Sequence, residues 1–316
     1  MRLSELPLST LRGFVVFFGL IWGSFLNVVI YRLPRDMSVA HPGSHCPACG
    51  KPIAFYDNVP IVSYLVLRGR ARCCKAKMSP RYPLVEALGG GVSLALFELV
   101  IRKLPSTLTL AQVSGIYFAY FALLMGLIAA AFIDFEHMIL PDSINFGALV
   151  LGLATARLRG LGFEESAFGA CVGFAVVWLP FIVGYRAIRG REGMGLGDAK
   201  LAMVAGAWFG WIGAVWTLLA GSMQGTLFAI VVYLVKGKIE EPEAVKKELD
   251  ELREAAKKGD REAKKILEED PLGEEAEEGF GKARVAFGPF LILALIQFLL
   301  FSGEILEVAR GYLLFD

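Results

Sequence analysis

The residues best able to do chemistry are carboxylates placed where carboxylates are costly. Asp198 stands in GMGLGDAKL (193–201) and opens LAMVAGAWFG, a run otherwise fit for lipid or a buried core. A second set closes an apolar run in AAAFIDFEHMILPDSINF, which holds Asp134, Glu136 and Asp142. An isolated Asp at a helix start can serve as a cap and nothing more. A pair has a further use. Two carboxylates in contact cannot both ionise easily and share a proton. One then activates water as a base, while the other, protonated, polarises a peptide carbonyl. That is the chemistry of an aspartic protease. Gly193, Gly195 and Gly197 would leave room for a substrate presented as extended backbone, with Lys200 supporting the same motif. A nucleotide loop does not fit these glycines, because the spacing is not GxGxxG and no strand–helix unit surrounds them.

The second cluster is sulfur. Four of five cysteines fall in HCPACGKP (Cys46, Cys49) and RARCCKAK (Cys73, Cys74). A CPxCG turn presents two thiolates to one metal, and a second pair some 25 residues on can complete a tetrahedral site, for which zinc is the best match. The adjacency of Cys73 and Cys74 is irregular. It leaves open that one is a bystander with His45 in the fourth place, and that the cluster is metal-free or redox-active. Cys171 lies within an apolar run and reads as a packed small residue.

These groups must be positioned by membrane helices. Hydrophobic residues make up 55% of 316, charged residues only 20%, and mean hydropathy is +0.56, well outside the soluble range. Eight apolar segments stand out, at 11–31, 84–101, 113–133, 143–158, 167–188, 198–211, 213–235 and 285–301, the fourth and sixth short and glycine-rich. The runs are continuous rather than alternating, which excludes a barrel and leaves helices. The first run is longer than a signal-peptide core and has no small-residue cleavage site after it. The expected fold is therefore an all-α polytopic membrane protein of about eight transmembrane helices. It carries a cysteine-rich cytoplasmic loop and a charged helical cytoplasmic insertion.

Orientation follows from charge. Residues 32–82 hold nine Lys and Arg against Asp36 and Asp57, which places this loop in the cytoplasm. Alternation then puts 134–142, 186–197 and 236–284 on the same side, so Asp134 and Asp198 share one membrane depth at the cytoplasmic edge. The segment 236–284 carries 12 basic and 16 acidic residues. Its apolar Val245, Leu249 and Leu252 recur at helical spacing, with opposite charges three and four apart. It reads as a solvated helical insertion with an acidic tail, the alternative being a docking site for partner proteins. The organisation expected is a first helix (1–31), a Cys-rich domain (32–82), a transmembrane core (83–235), the insertion (236–284) and a last helix with the C-terminus (285–316).

These motifs together resemble the bacterial prepilin peptidases, or type IV leader peptidases, of the GxGD aspartic protease class. The resemblance is carried by GSFLNVVIYRLP (23–34), CPACG (46–50), DNVPIVSYLVLRGR (57–70), SPRYPLVE (79–86), IDFEHMILPD (133–142), GMGLGDAKL (193–201) and FGPFL (287–291), in the family's order. It implies that Asp134 and Asp198 are the catalytic pair and that Asp142 is not catalytic. It implies cleavage after the glycine of a basic leader on type IV prepilins and type II secretion pseudopilins, at the cytoplasmic face of the bacterial inner membrane. It further implies methylation of the new N-terminal residue, usually Phe, from S-adenosylmethionine, an activity linked to the N-terminal region and the cysteine loop. Gly23, Asn27, Arg32 and Glu86 are candidates there, against a role in helix packing and interfacial anchoring. Two departures stand out. Ala71 takes the place of the first cysteine of the family's second CxxC pair, with Cys73 two residues on, and the 236–284 insertion is longer than the family leads one to expect. Nucleic acid has no place in this reading. A transporter is the rival from another class, since intramembrane acids also mark ion paths. It calls for inverted repeats and midplane acids, and the sequence has neither. A structural part in pilus assembly would account for the insertion but not for the paired aspartates.

Overall fold

The computed structural model describes residues 5–190, 193–237, 242–261, 263–264, 267 and 286–313. Among these all regular structure is helical, and the extended pairings are two isolated bridges, His45 with Pro52 and Arg70 with Lys77. Six helical stretches are long and apolar enough to cross a membrane. They are built on α1 (Leu8–Arg32), α3 (Arg81–Leu99), α4 (Leu110–His137), α6 (Phe163–Val177), α8 (Leu196–Lys236) and α10 (Gly288–Leu313). Shorter helices are α2 (Val62–Val66), α5 (Asp142–Thr155), α7 (Tyr185–Arg189) and α9 (Glu243–Lys257). Between α6 and α7 the helix widens to a π turn over Trp178–Gly184. This is where Pro180 removes an amide and crowds the preceding turn.

The eight expected segments and the six long helices are reconciled by α5 and α8. The 14 residues of α5 make only about 21 Å of helix, short of the ~30 Å hydrocarbon core. The 41 residues of α8 would make about 60 Å if straight, twice that thickness. The helix is broken at Gly210, where φ is 69° and ψ −175°, a conformation essentially reserved for glycine. The chain doubles back there. A Cβ on Gly173 of α6 would meet the carbonyl of Ala202, before the break, and lie 3.2 Å from Cβ of Ala214, after it. In an unbroken helix Ala202 and Ala214 would be about 18 Å apart. The two arms, 196–209 and 211–236, correspond to the sixth and seventh expected segments.

The chain divides into two compact units. One comprises Met1–Ala129, Arg157–Gly160 and Leu299–Asp316; the other comprises Ala130–Ala156 and Leu161–Phe298. In the first, α1 packs on α3 through backbone contact. Gly19 lies against the carbonyl of Gly89, and a Cβ on Gly23 would come within 2.8 Å of Cα of Glu86. Ser93 donates to the carbonyl of Val15 at 2.5 Å across this seam. In the second unit Gly169 of α6 meets Gly206 of α8 in the same manner, and Ser166 donates to the carbonyl of Ala207 at 2.5 Å. Small residues at the seam and hydroxyl bonds across it are how helices associate in lipid, where burying apolar surface gains nothing. The outward faces fit that solvent: Phe17 and Trp22 on α1, and Leu219, Met223 and Leu227 on α8, are all exposed.

Two expectations are modified. Cys171 is exposed rather than packed, because the inward stripe of α6 runs through Ser166, Gly169, Ala170 and Gly173. The helical part of the charged insertion forms as α9, with Val245 and Leu249 buried and Glu254 within 3.9 Å of Lys258. The insertion's residues 238–241, 262, 265–266 and 268–284 lie outside the described residues, as do 191–192 of the basic stretch.

Replacing Gly210 by Ala forces a side chain into a glycine-only conformation and should destabilise the fold by about 1–3 kcal/mol. Gly147→Ala, inside α5 with open space around its Cβ position, should leave stability unchanged or slightly raised. Thermal unfolding of the purified protein in one detergent compares them, and equal midpoints would contradict the hinge.

Candidate active site and metal centre

Asp134 lies in the last turn of α4 and Asp198 in the first turn of α8. Both are nearly buried, at 5% and 9% exposure. Helix α4 ends because Met138 takes a left-handed conformation, φ 54°, and its amide closes on the carbonyl of Asp134 at 2.8 Å. The chain then turns through Leu140 and Pro141 into α5. Leu140 is the wedge of the site. A Cβ on Gly197 would stand 3.0 Å from its Cβ, and one on Gly288 would stand 3.1 Å from its Cδ2 and 2.7 Å from Oδ2 of Asp134. The neighbours of both aspartates thus meet on one side chain. Asp134 is close enough to act electrostatically on Asp198.

Each carboxylate is answered by a backbone amide. Gly288, the first residue of α10, donates its N–H to Oδ2 of Asp134 at 3.0 Å. Asp198 is three residues beyond Gly195, the residue that caps α8, and its carboxylate turns back toward the Gly195 amide. Helix N-termini have unsatisfied N–H groups and a positive dipole end, which suits both anions. The capping role weighed for Asp198 is therefore present in part, in the reciprocal form of a capping box. Gly288 is the residue that sequence reasoning missed. FGPFL marks a helix start, by Gly-Pro before an apolar run, but says nothing of where its amides point.

The other acids divide by environment. Asp142, in the first turn of α5, pairs with Lys200 at 2.6 Å. Lys200 also lies over the Phe146 ring, 5.4 Å from its centre. Lys200 is therefore bound to Asp142 and joins α8 to α5.

The four N-terminal candidates do not form one cluster. Gly23, Asn27 and Glu86 meet between α1 and α3. Asn27 donates to the carbonyl of Tyr82 at 3.1 Å, while its Oδ1 is buried without a donor. Glu86 accepts the Ile61 amide at 2.7 Å. Arg32 instead reaches the cysteine loop, giving hydrogen bonds to the carbonyls of Ser38 at 2.9 Å and Gly43 at 3.3 Å.

The four loop cysteines converge, with every Sγ within 4.8 Å of the others. Cys46 and Cys74 are 3.7 Å apart, and Cys49 and Cys73 are 3.4 Å apart. The edge of a tetrahedron of thiolates around zinc is roughly 3.8 Å, so the donor set and spacing fit a metal ion. His45 stays outside, its Nδ1 3.1 Å from the carbonyl of Gly43. The Cys46 thiol titrates at about 7: burial raises it, and amides of Ala48 and Cys49 with the neighbouring thiols more than offset that. Cys73 is pushed up to about 12, chiefly by its hydrogen bond with Cys49. Beside the cluster, two-point pairing with Arg72 at 2.9 Å holds the Asp57 carboxyl below its ordinary range.

The two cysteine turns share a backbone. In the first, the Cys46 amide bonds the carbonyl of Lys51, the Gly50 amide bonds the carbonyl of Cys46, and Gly50 has φ 70°. In the second, the Ala71 amide bonds the carbonyl of Ala76, the Lys75 amide bonds the carbonyl of Ala71, and Lys75 has φ 60°. The bridges flank both turns alike. Ala71 thus occupies the place of Cys46, and Cys74 that of Cys49. Cys73 brings its sulfur to the cluster from within the turn.

Family models match two separate stretches of the chain. Residues 17–100 match the bacterial peptidase A24 N-terminal domain, and residues 121–230 match the type IV leader peptidase family. A prepilin leader peptidase/N-methyltransferase of Myxococcus xanthus is 35% identical over 93% of this chain and 90% of its own length. The chain belongs to the type IV leader peptidase family. Proteins of the same name from Klebsiella pneumoniae and Neisseria gonorrhoeae are 38% and 36% identical, over 66% and 73% of this chain and 90% and 87% of their own. No solved structure matches the chain.

Within this family member the turn geometry brings Cys73, rather than a residue at 71, to the fourth position of the sulfur cluster. Cys73→Ser should lower the metal bound per chain, and adding Ala71→Cys to it should restore the metal, both read by elemental analysis of the purified protein. Full metal in Cys73→Ser alone would show that another group completes the site.

Proposed function

We propose that the protein removes the basic leader of type IV prepilins by hydrolysis at Asp134 and Asp198, and then methylates the new N-terminal amine. The observation that carries the peptidase reading is the pair of buried carboxylates, each facing the amide of a glycine at a helix start. One carboxylate takes a proton from water as that water attacks the scissile carbonyl carbon. The other gives a proton to the carbonyl oxygen, and the tetrahedral intermediate collapses with the proton passing to the leaving amine. The amides hold the carboxylate oxygens in place without adding a cation that would tie up the base. The excess of Lys and Arg in 32–82 supports a cytoplasmic active face in the inner membrane. Pseudopilins of type II secretion fit the same chemistry. The helical insertion around α9 is the surface available for contacts with pilus or secretion machinery.

Methyl transfer belongs to the N-terminal region, with S-adenosylmethionine supplying the methyl group. Of the four candidates, Glu86 has the chemistry to take a proton from the product's new ammonium group. Gly23 and Asn27 set its position through the α1–α3 seam, and Arg32 holds the cysteine loop. The four thiolates would hold zinc, a structural ion without redox chemistry that fixes the two turns. Nothing in the fold or the relatives favours a transporter.

Asp134→Asn and Asp198→Asn should each cut cleavage of a prepilin by roughly 10²–10⁴-fold. The double variant should be little worse than either, since the pair acts as a unit. Mass spectrometry of the product reads both, and methylation of a pre-cleaved substrate should persist. Processing at parental rate in either variant would end the dyad assignment. Gly288→Ala places a Cβ 2.7 Å from Oδ2 of Asp134 and should cost about 10²-fold by displacing that carboxylate. A rate equal to the parent would show that the Gly288 amide has no part in catalysis.

A further inference from the structure

We infer that residues 55–66, between the two cysteine turns, form an interfacial element that inserts into the bilayer surface and selects anionic phospholipid. The inference stands apart from the aspartate chemistry and rests on placement, apolarity and charge. Placement is set by Glu86. Its carboxylate accepts the Ile61 amide at 2.7 Å, and it is the sixth residue of the α3 span, about 7 Å inside the span's Arg81 end. The segment is therefore drawn down beside the spanning helices rather than held out in water. Ile61 itself is strained, with φ 61°, an uncommon conformation for a β-branched residue. The Glu86 bond fixes its amide, and the Leu65 amide bonds its carbonyl.

Around that anchor the segment turns apolar side chains outward. Phe55 is 86% exposed, and Tyr56, Val59, Val62, Leu65 and Val66 are exposed with it. A contiguous group of this kind is rare on a water-facing loop. At the level of the span ends it continues the apolar surface of the helices. Its rim is cationic. Arg68, Arg70, Lys75 and Lys77 are exposed and have no carboxylate partner among the described residues, whereas Arg72 is taken by Asp57. Aromatic and aliphatic side chains with adjacent unpaired cations are the chemistry of an element lying in a headgroup layer with negative surface charge. Such contact would fix the cysteine turns at one height above the bilayer.

The test uses the full chain in nanodiscs, with an environment-sensitive fluorescent amino acid at Leu65, or at Lys51 as a control on the first cysteine turn. Lipids brominated near the headgroup should quench the probe at 65 several-fold more than the probe at 51. Quenching should be stronger with phosphatidylglycerol than with phosphatidylcholine alone, and Arg68→Glu with Arg70→Glu should abolish that difference. Unchanged far-ultraviolet dichroism and prepilin cleavage would confirm that the variants are folded. Absence of lipid quenching at 65 would overturn the proposal. So would a probe that responds only when prepilin is added, which would give the surface to substrate. Equal quenching in both bilayers would overturn the assignment of the cations.

Discussion

A carboxylate buried among apolar helices must be met by donors or it will not be tolerated. At Asp134 and Asp198 the donors are main-chain N–H groups at the starts of α10 and α8. Much of the surrounding backbone follows from that requirement. Helix α10 must begin at a residue without a Cβ, since any side chain at 288 would strike Oδ2 of Asp134. Helix α4 must stop one turn after Asp134, which the left-handed Met138 accomplishes. The following turn must then drive Leu140 between Gly197 and Gly288. The break at Gly210 belongs to the same constraint. It lets both arms of α8 pack on α6, so the arm that begins at Asp198's turn is held against its neighbour.

The cysteine loop makes a related point about backbone and ligand. Two turns with the same hydrogen bonds and the same left-handed residue bring four sulfurs together, although their cysteines are not equivalently spaced. The turn is the same in both halves, and the cysteine position within it differs. Because Lys75 supports the left-handed step that Gly50 supports in the first turn, the second turn forms at some cost in backbone strain. Convergence of the sulfurs on a cation would compensate that cost.

What could be read in the sequence was whatever is local. The apolar segments, the two acids and the cysteine pairs were legible because composition over a short window decides them. The division of α8 was legible as the gap between the sixth and seventh segments, but the sharp reversal was not, because it is a single glycine dihedral at Gly210. The outward face of Cys171 was hidden for a similar reason. Beyond its first turn every face of α6 is apolar in sequence, and only its partner's small residues decide which side is inward. The GxxxG spacings at Gly19 and Gly23 and at Gly169 and Gly173 were available as signals for those seams. Gly288 lies beyond such reading altogether, being about 150 residues from the carboxylate that it serves.

The choice of amides over cations as donors has a consequence for Lys200. It sits two residues from Asp198, so the two side chains leave α8 on different sides, and it is largely buried, at 17% side-chain exposure. An ammonium so placed needs a carboxylate of its own. Asp142, the acid of the LPD turn, supplies it at 2.6 Å, and the Phe146 ring steadies the cation from one side. The cation of the GDAKL motif is thereby held by an acid outside the buried pair, while a main-chain amide faces each member of that pair.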